Sequence, residues 1–244
     1  MEESIDSNKK EGIRLNRYIS LSGFCSRRKA DEHIENGEVT IDGERAEVGA
    51  RVQSGQQVLI NGIPLTPETE KIYIALHKPL YITCTADKDD PDNVIDYLSY
   101  PKKIFPIGRL DKMSTGLLLL TNDGDLTYHL LRTSGFHEKE YIVTVNKAIT
   151  EEFLQKMQSG VRLSDAVTLP CRIQKIDERT CSITLTQGLN RQIRRMCEAC
   201  GYRVKTLERI RIENIHLGDL EKGKWRHLSE EEKTTLLENI LPKK

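Results

Sequence analysis

The chain has 244 residues, and its 37% of hydrophobic residues is enough to fold one large and one small domain. The 37 Lys and Arg residues balance 37 Asp and Glu residues, so the net charge of zero creates no overall field that would attract nucleic acid. Apolar runs such as residues 116–120 are far shorter than the roughly 18 residues of a membrane-spanning helix, and no secretory signal opens the chain. We therefore expect a soluble cytoplasmic protein whose six cysteines are reduced and buried.

A small N-terminal domain of two helices and a sheet is predicted over residues 13–62. The polar residues 1–12 before it have no periodic apolar pattern, which indicates a disordered leader. A first helix should end at Gly23, which can adopt a left-handed cap, and a second should run from Ser26 as N-cap to Gly37. The residues expected on the buried faces of these helices are Leu15, Tyr18, Ile19, Ala30 and Ile34.

Two strand patterns, residues 39–41 and 58–60, follow these helices. Each precedes a dipeptide that favours a tight hairpin turn, Asp42-Gly43 in the first case and Asn61-Gly62 in the second. The pattern predicts a small twisted sheet. Two prolines then indicate a short linker over residues 63–70.

Residues 71–244 are predicted to form a second, larger domain. Because its helical patterns do not alternate regularly with strands, we expect the α+β class, with a mixed, mainly antiparallel β-sheet rather than a doubly wound parallel one. The predicted strands are 72–76, 82–84, 117–121, 141–145 and 183–185, and the predicted helices are 93–98, 125–132, 150–158, 190–200 and 229–241.

A positive cluster lies within residues 13–30, which contain no acidic residue. Arg28 and Lys29 fall at the start of the predicted second helix, where positive charge opposes the helix dipole unless an anion compensates it. An RNA backbone would supply that anion, whereas a solvated helix face is the commoner explanation of such clusters. The cluster comprises Arg14, Arg17, Arg27, Arg28 and Lys29.

A second basic group is spread over residues 191–211 and is interrupted only by Glu198 and Glu208. Its arginine-rich composition suits planar, bidentate contact with phosphate. Two such groups in two domains together predict RNA binding. The members of the second group are Arg191, Arg194, Arg195, Arg203, Lys205, Arg209 and Arg211.

Asp111 lies in a predicted loop that leads into the buried strand 117–121. A carboxylate on a loop that rigid strands support is well placed for chemistry, and Arg109 and Lys112 flank it. The alternative is a surface turn with an Arg–Asp pair. Spacing alone favours that alternative.

Four segments in a fixed order change this balance. They are RLNRYISLSGFCSRRKADEHIENGEVTIDG, GRLDKMSTGLLLLTNDG, KEYIVTV and QGLNRQIRRM. The first resembles an S4-like RNA-binding domain, and the other three resemble, in order, the motifs of the RsuA-type pseudouridine synthases. The likeness extends from about residue 13 to residue 230.

This resemblance implies an enzyme that converts specific uridines in ribosomal RNA to pseudouridine by flipping the base and breaking and re-forming its bond to ribose. It implies that Asp111 is the catalytic carboxylate, that Tyr141 stacks on the target base and that Arg194 pairs with the carboxylate. Arg109 would fill the position that the flipped base leaves. An S4-like domain would then cover residues 13–62 and the catalytic domain residues 71–244.

The resemblance also implies the partners. Residues 183–212 are most similar to the branch that modifies 23S rRNA, so the expected partner is ribosomal RNA, as 23S rRNA or a large-subunit precursor. We expect a monomer with no membrane partner. Because the isomerisation adds and removes nothing, we expect neither a metal nor an organic cofactor. The residues expected to contact RNA are Arg14, Arg17, Arg27, Arg28, Lys29, Arg109, Arg191 and Arg195.

Two other functions use the same features. A non-enzymatic rRNA-binding or ribosome-assembly factor would need the basic clusters but not the convergence of Asp111, Tyr141 and Arg194. A metal-dependent hydrolase would need further carboxylate or His ligands near Asp111, and the sequence offers no such set. The Cys197-Glu-Ala-Cys200 spacing lacks the second pair of a structural zinc site and is interpreted as packing.

Overall fold

The computed structural model describes residues 12–132 and 136–241. All of the predicted leader except Gly12 therefore lies outside the described residues. The chain divides into two compact units, Met1–Lys71 and Ile72–Lys244. Each unit has its own hydrophobic core.

The first unit contains the two predicted helices, α1 (Leu15–Leu21) and α2 (Arg27–Glu35). The Ser26 side chain caps α2 by accepting a hydrogen bond from the Lys29 amide, as its N-cap position predicts. Gly23 follows α1 with a positive φ of 83°, in agreement with the predicted left-handed end. The predicted inward residues are buried, except that Tyr18 is half-buried and its hydroxyl donates to the Leu65 carbonyl.

The strands of the first unit form two small sheets. The antiparallel pair β1 (Ile13–Arg14) and β4 (Arg51–Val52) makes one, and the other has the order β3-β2-β5-β6. Both predicted turns join neighbouring strands, and their non-glycine residues have positive φ, 51° at Asp42 and 48° at Asn61. The last strand falls within the predicted linker, because the second turn returns the chain along β5. The strands of this sheet are β2 (Val39–Ile41), β3 (Glu44–Arg45), β5 (Val58–Ile60) and β6 (Ile63–Leu65).

The second unit is built on a mixed sheet in which, among the described residues, nine strands take part. Its main order is β11-β12-β10-β13-β9-β7-β15, with β14 on β13 and β8 on β9. All pairs are antiparallel except β13 and β9, so the predicted α+β class is confirmed. The strands are β7 (Tyr73–Lys78), β8 (Phe105–Ile107), β9 (Thr115–Thr121), β10 (Lys139–Val145), β11 (Arg172–Lys175), β12 (Thr180–Leu185), β13 (Val204–Ile212), β14 (Ile215–His216) and β15 (Trp225–His227).

Helices of the second unit follow the predicted positions to within about two residues at each end. Their starts are set by side chains that accept backbone amides, namely Asn93, Asp123, Thr150 and Ser229. Ser229 and Glu232 form a reciprocal capping box. The helices are α3 (Val94–Leu98), α4 (Gly124–Leu131), α5 (Glu151–Ser159), α6 (Gln192–Ala199) and α7 (Glu230–Ile240).

One strand predicted for this unit is wrong, and another was not predicted. Residues 82–84 are not a strand, because the chain turns at Tyr81 and only an isolated bridge joins Thr83 to Asn93. The basic stretch within residues 203–211, for which no strand was predicted, is largely the strand β13 (Val204–Ile212), which lies between β10 and β9 inside the sheet. Its basic residues lie in different environments, since Lys205 is exposed and Arg209 is buried.

A glycine makes the parallel contact between β9 and β13 possible. Gly116 pairs with Arg209, and a Cβ at Gly116 would lie 2.2 Å from the Arg209 carbonyl oxygen and 2.5 Å from its amide nitrogen. Its φ of 105° is also outside the region that L side chains adopt. The atoms that a Cβ would meet belong to backbone in the middle of the sheet, so they cannot move aside cheaply.

Gly116→Ala is accordingly expected to lower the free energy of unfolding by about 3 kcal/mol, through strain and separation of the two strands. Gly124 is the matched control, because it lies in α4 with no positive φ and no atom within 4 Å of an added Cβ. Gly124→Ala should leave stability unchanged or raise it by about 0.5–1 kcal/mol. Urea denaturation of both variants tests this, and equal midpoints would contradict it.

Candidate active site

Asp111 lies in the loop 108–114, between β8 and β9, as the sequence predicts. The Ser114 amide donates to the Asp111 carbonyl at 2.9 Å, which closes the loop as a turn just before β9 begins. The Asp111 side chain is 28% exposed, and Ser114 is fully buried. One carboxylate is thus held at the surface by a turn whose far end is anchored in the core.

Arg194 of α6 fixes this loop from the opposite side. Its Nη2 donates to the Met113 carbonyl at 2.7 Å and to the Ser114 hydroxyl at 3.1 Å, while its Nε lies 3.6 Å from Asp111 Oδ2. The Arg194 side chain is buried, and its Nε has no hydrogen-bond partner among the described residues. The planar guanidinium therefore positions the loop with one edge and faces the carboxylate with another.

Arg191 is the second cation at Asp111, with its Nη1 3.9 Å from Oδ2. This residue precedes α6 in the left-handed conformation, with φ 48°, and its side chain is half-exposed. Left-handed backbone is uncommon for a residue other than glycine. The sequence grouped Arg191 with its neighbours as an RNA contact and did not predict its place beside the carboxylate.

Tyr141 is connected to the Asp111 loop through the paired strands of the sheet. It pairs with Arg209 on β13, and Arg209 pairs with Gly116 on β9. Two strand spacings, or about 10 Å, therefore separate the backbone of Tyr141 from that of Gly116, which follows the Asp111 loop. The Tyr141 side chain is half-buried and packs against the hydrophobic cluster that contains Leu110, the residue before Asp111.

Lys78 is a component of this region that the sequence interpretation missed. It pairs with Gly116 and is fully buried, and its Nζ donates to the carbonyls of Pro79 at 2.8 Å and Ile82 at 2.9 Å. Burial lowers the pKa of Lys78, and the negative charge of Asp111 opposes part of that shift. A lysine two residues past the predicted apolar strand 72–76 was the signal available in the sequence.

Other cations near β13 are also shielded from solvent. Arg209 Nε donates to the Leu117 carbonyl at 2.7 Å. Burial, reinforced by the charge of Arg209, lowers the pKa of Lys139 to about 8. Arg211 is paired with Glu138 and Glu140 at 3.0 and 2.9 Å. The second basic group is therefore not one continuous positive surface, since Arg209 is buried and Arg211 is paired with acidic residues.

The residues expected to contact RNA lie in different settings. In the first unit Arg14, Arg27, Arg28 and Lys29 are exposed, whereas Arg17 is half-buried. Arg109 is exposed on the catalytic loop and forms no ion pair within residues 12–132 and 136–241. Arg195 instead pairs with Asp165 and donates to the Asn190 carbonyl, so intramolecular partners already hold it.

The buried cysteines are thiols that pack in the core rather than metal ligands. Burial raises the pKa of Cys171 to about 11 and that of Cys181 to about 12, and it also raises the pKa of Cys197. Cys197, on the inner face of α6, is fully buried in the core. Over the part of the chain that the structure describes, no three His, Cys, Asp or Glu side chains converge as metal ligands, and no helix is long and apolar enough to cross a membrane.

A partly exposed carboxylate beside two arginines, on a loop between two strands of a mixed sheet, is suited to chemistry on an anionic substrate such as a nucleic acid. The chain belongs to the RNA pseudouridylate synthase family, which it matches over residues 72–199, and residues 13–58 match the S4 domain. The resemblance seen in the sequence is thereby confirmed.

Individual relatives agree with this assignment. The chain is 49% identical over 230 residues to the dual-specificity RNA pseudouridine synthase RluF of Escherichia coli K12, covering 93% of this chain and 79% of that protein. It is 36% identical to the ribosomal large subunit pseudouridine synthase B of Bacillus subtilis, covering 90% and 93% of the two chains. A crystal structure of a pseudouridylate synthase superposes with a TM-score of 0.68 at 29% identity, covering 92% and 99%.

Arg194→Lys should loosen the loop 108–114, because a lysine has one nitrogen and cannot place one donor group at Met113 and Ser114 and a second beside Asp111. We expect the free energy of unfolding to fall by about 1–3 kcal/mol. Hydrogen exchange at the Ser114 amide should become faster. Arg195→Lys is the control, since Arg195 bonds no residue of the loop, and unchanged exchange in Arg194→Lys would refute the anchoring role.

Proposed function

We propose that this chain converts one or a few uridines of ribosomal RNA, in 23S rRNA or a large-subunit precursor, to pseudouridine, with Asp111 as the catalytic carboxylate. The observation that carries the proposal is that Asp111, on its loop, lies 3.6 Å from Arg194 of α6 in a chain that belongs to the RNA pseudouridylate synthase family. The large-subunit relative supports the choice of RNA. The dual-specificity relative makes a second RNA substrate worth assaying.

The proposed reaction begins with extrusion of the target uridine, which costs a few kcal/mol of unstacking and unpairing. Arg109, exposed and without an ion pair in the described residues, occupies the vacated position. Tyr141 covers the flipped uracil, and stacking on an aromatic ring contributes roughly 1–3 kcal/mol per base. The substrate is thus held by groups that contact the base, while the positive side chains contact phosphate.

In the proposed chemical step the bond between the ribose and the uracil nitrogen breaks, the base turns, and a new bond forms through uracil carbon 5. The hydrogen that leaves carbon 5 passes to solvent and a proton returns to the nitrogen, so the atoms balance and no cofactor is consumed. The Asp111 carboxylate acts as the nucleophile or base, and Arg194 and Arg191 lie 3.6 and 3.9 Å from its Oδ2.

Asp111→Asn is expected to abolish turnover while leaving the Kd for RNA unchanged, because the amide keeps the shape of the carboxylate but not its charge. The measurement is release of tritium from unmodified 23S rRNA labelled at uridine carbon 5, in the presence of a chelator, with mapping of the product. Asp92→Asn is the control, since Asp92 pairs with Lys112 rather than with Arg194. Full activity in Asp111→Asn, or equal loss of activity and binding, would refute the catalytic assignment.

The double substitution Arg27→Ala, Arg28→Ala should weaken RNA binding by the first unit and leave kcat unchanged. Removing an arginine that neutralises a phosphate reduces counterion release, so the slope of log Kd against log salt should flatten by about 1–2. Arg179→Ala, which removes an exposed arginine between β11 and β12, is the matched control. A salt slope equal to that of the wild type would show that Arg27 and Arg28 do not contact phosphate.

A further inference from the structure

Tyr81 has a backbone conformation that its side chain does not favour. Its φ is 69°, in the left-handed region, and its ring is 60% exposed. For a bulky residue this is an outlier, and such strain costs on the order of 1–3 kcal/mol unless the surroundings fix it. Other left-handed residues have local reasons: Asp42 and Asn61 lie in hairpin turns and Ser99 caps a helix. Tyr81 also lies in a turn, 79–82, but unlike aspartate, asparagine and serine it is a bulky residue without a short polar side chain that would favour this backbone.

The backbone around Tyr81 is fixed from both sides. Buried Lys78 binds the carbonyls of Pro79 and Ile82 with one ammonium group, so the turn between them closes around a single donor. The Tyr81 amide donates to the Lys112 carbonyl at 2.9 Å, one residue after Asp111. The turn 79–82 is therefore tied to the catalytic loop, and the position of the Tyr81 ring relative to that loop is determined.

The ring itself has no partner that would account for it. Among the described residues no hydrogen bond holds the phenol, and a glycine would adopt this backbone more readily than tyrosine. Nearby apolar side chains are exposed as well, with Leu80 adjacent in sequence and Met113 50% exposed on the catalytic loop. Arg109, on the same loop, is exposed and forms no ion pair among the described residues, whereas Lys112 is paired with Asp92.

We propose that Tyr81 is a stacking platform for a nucleobase of the RNA substrate that neighbours the flipped uridine. An exposed aromatic face, tied to a loop that carries the exposed Arg109, fits a base together with its phosphate, whereas an apolar protein surface would leave that charge unpaired. The inference rests on the proposed function and deepens it, since it adds a positioning residue for the bases beside the target. It requires no change in the chemistry at Asp111.

The test compares three full-length variants in the tritium-release assay on 23S rRNA. Tyr81→Gly removes the ring and relieves the backbone strain, whereas Tyr81→Phe keeps the ring. Ser99→Gly is the control, because it relieves the strain of another left-handed residue, the C-cap of α3. For Tyr81→Gly we expect KM to rise on the order of 10-fold with kcat unchanged, the effect of losing one stacked base. Its Tm should rise by about 2–4 °C as the strain is removed. Tyr81→Phe and Ser99→Gly should retain the wild-type KM.

A second measurement decides the inference without turnover. Tyr81→Trp places an indole on the platform, and its fluorescence should be quenched when total bacterial RNA is added. Tyr97→Trp, at a half-exposed ring on α3, is the control and should not be quenched. A wild-type KM in Tyr81→Gly, or an unquenched indole at position 81 with bound RNA, would overturn the platform. Failure of the wild type to release tritium while the indole is quenched would instead count against 23S rRNA as substrate.

Discussion

The close parallel contact between Gly116 and Arg209 is the constraint on which the site depends. Only a residue without a Cβ allows β9 to approach the backbone of β13 at this point. The contact places the end of the loop 108–114 beside β13. It also aligns four residues in one row across four strands, namely Lys78, Gly116, Arg209 and Tyr141. The loop that carries Asp111 and the strand β10 that carries Tyr141 are thereby held at a fixed distance from each other.

The second feature of the site is how its positive charges are held. Lys78, Arg194 and Arg209 are all buried, and burying an isolated charge is costly. Each of the three donates to backbone carbonyl oxygens, and Arg194 also faces the half-buried Asp111. These cations therefore hold loops and strands in place, while the exposed Arg109 and Arg191 remain on the surface that an anionic substrate would meet. The positive charges near Asp111 thus fall into two groups, one buried and bonded to backbone and one exposed to solvent.

Local features of the fold followed from sequence, and the site did not. N-cap side chains and Asn-Gly or Asp-Gly turns act over a few residues, so the roles of Ser26, Thr150 and Asn61 could be predicted directly. Asp111, Tyr141 and Arg194 were identified only by resemblance to a family, because spacing alone could not distinguish a catalytic loop from a surface turn. Strand β13 was missed because its charged residues suggested a surface. Their burial depends on partners distant in sequence, such as Leu117 for Arg209 and Glu140 for Arg211.

The turn 79–82 shows why such information is absent from local patterns. Its conformation is set by Lys78, which binds two of its carbonyls, and by the Lys112 carbonyl, and the second contact exists only once the loop before β9 lies beside the end of β7. A strained residue persists when surrounding contacts over-determine its backbone, so the strain at Tyr81 is sustained by the same strand pairing that supports Asp111. Because the two loops share a backbone hydrogen bond, displacement of one changes the other. The positions of Asp111 and of the exposed Tyr81 ring therefore both depend on the pairing of β7 with β9.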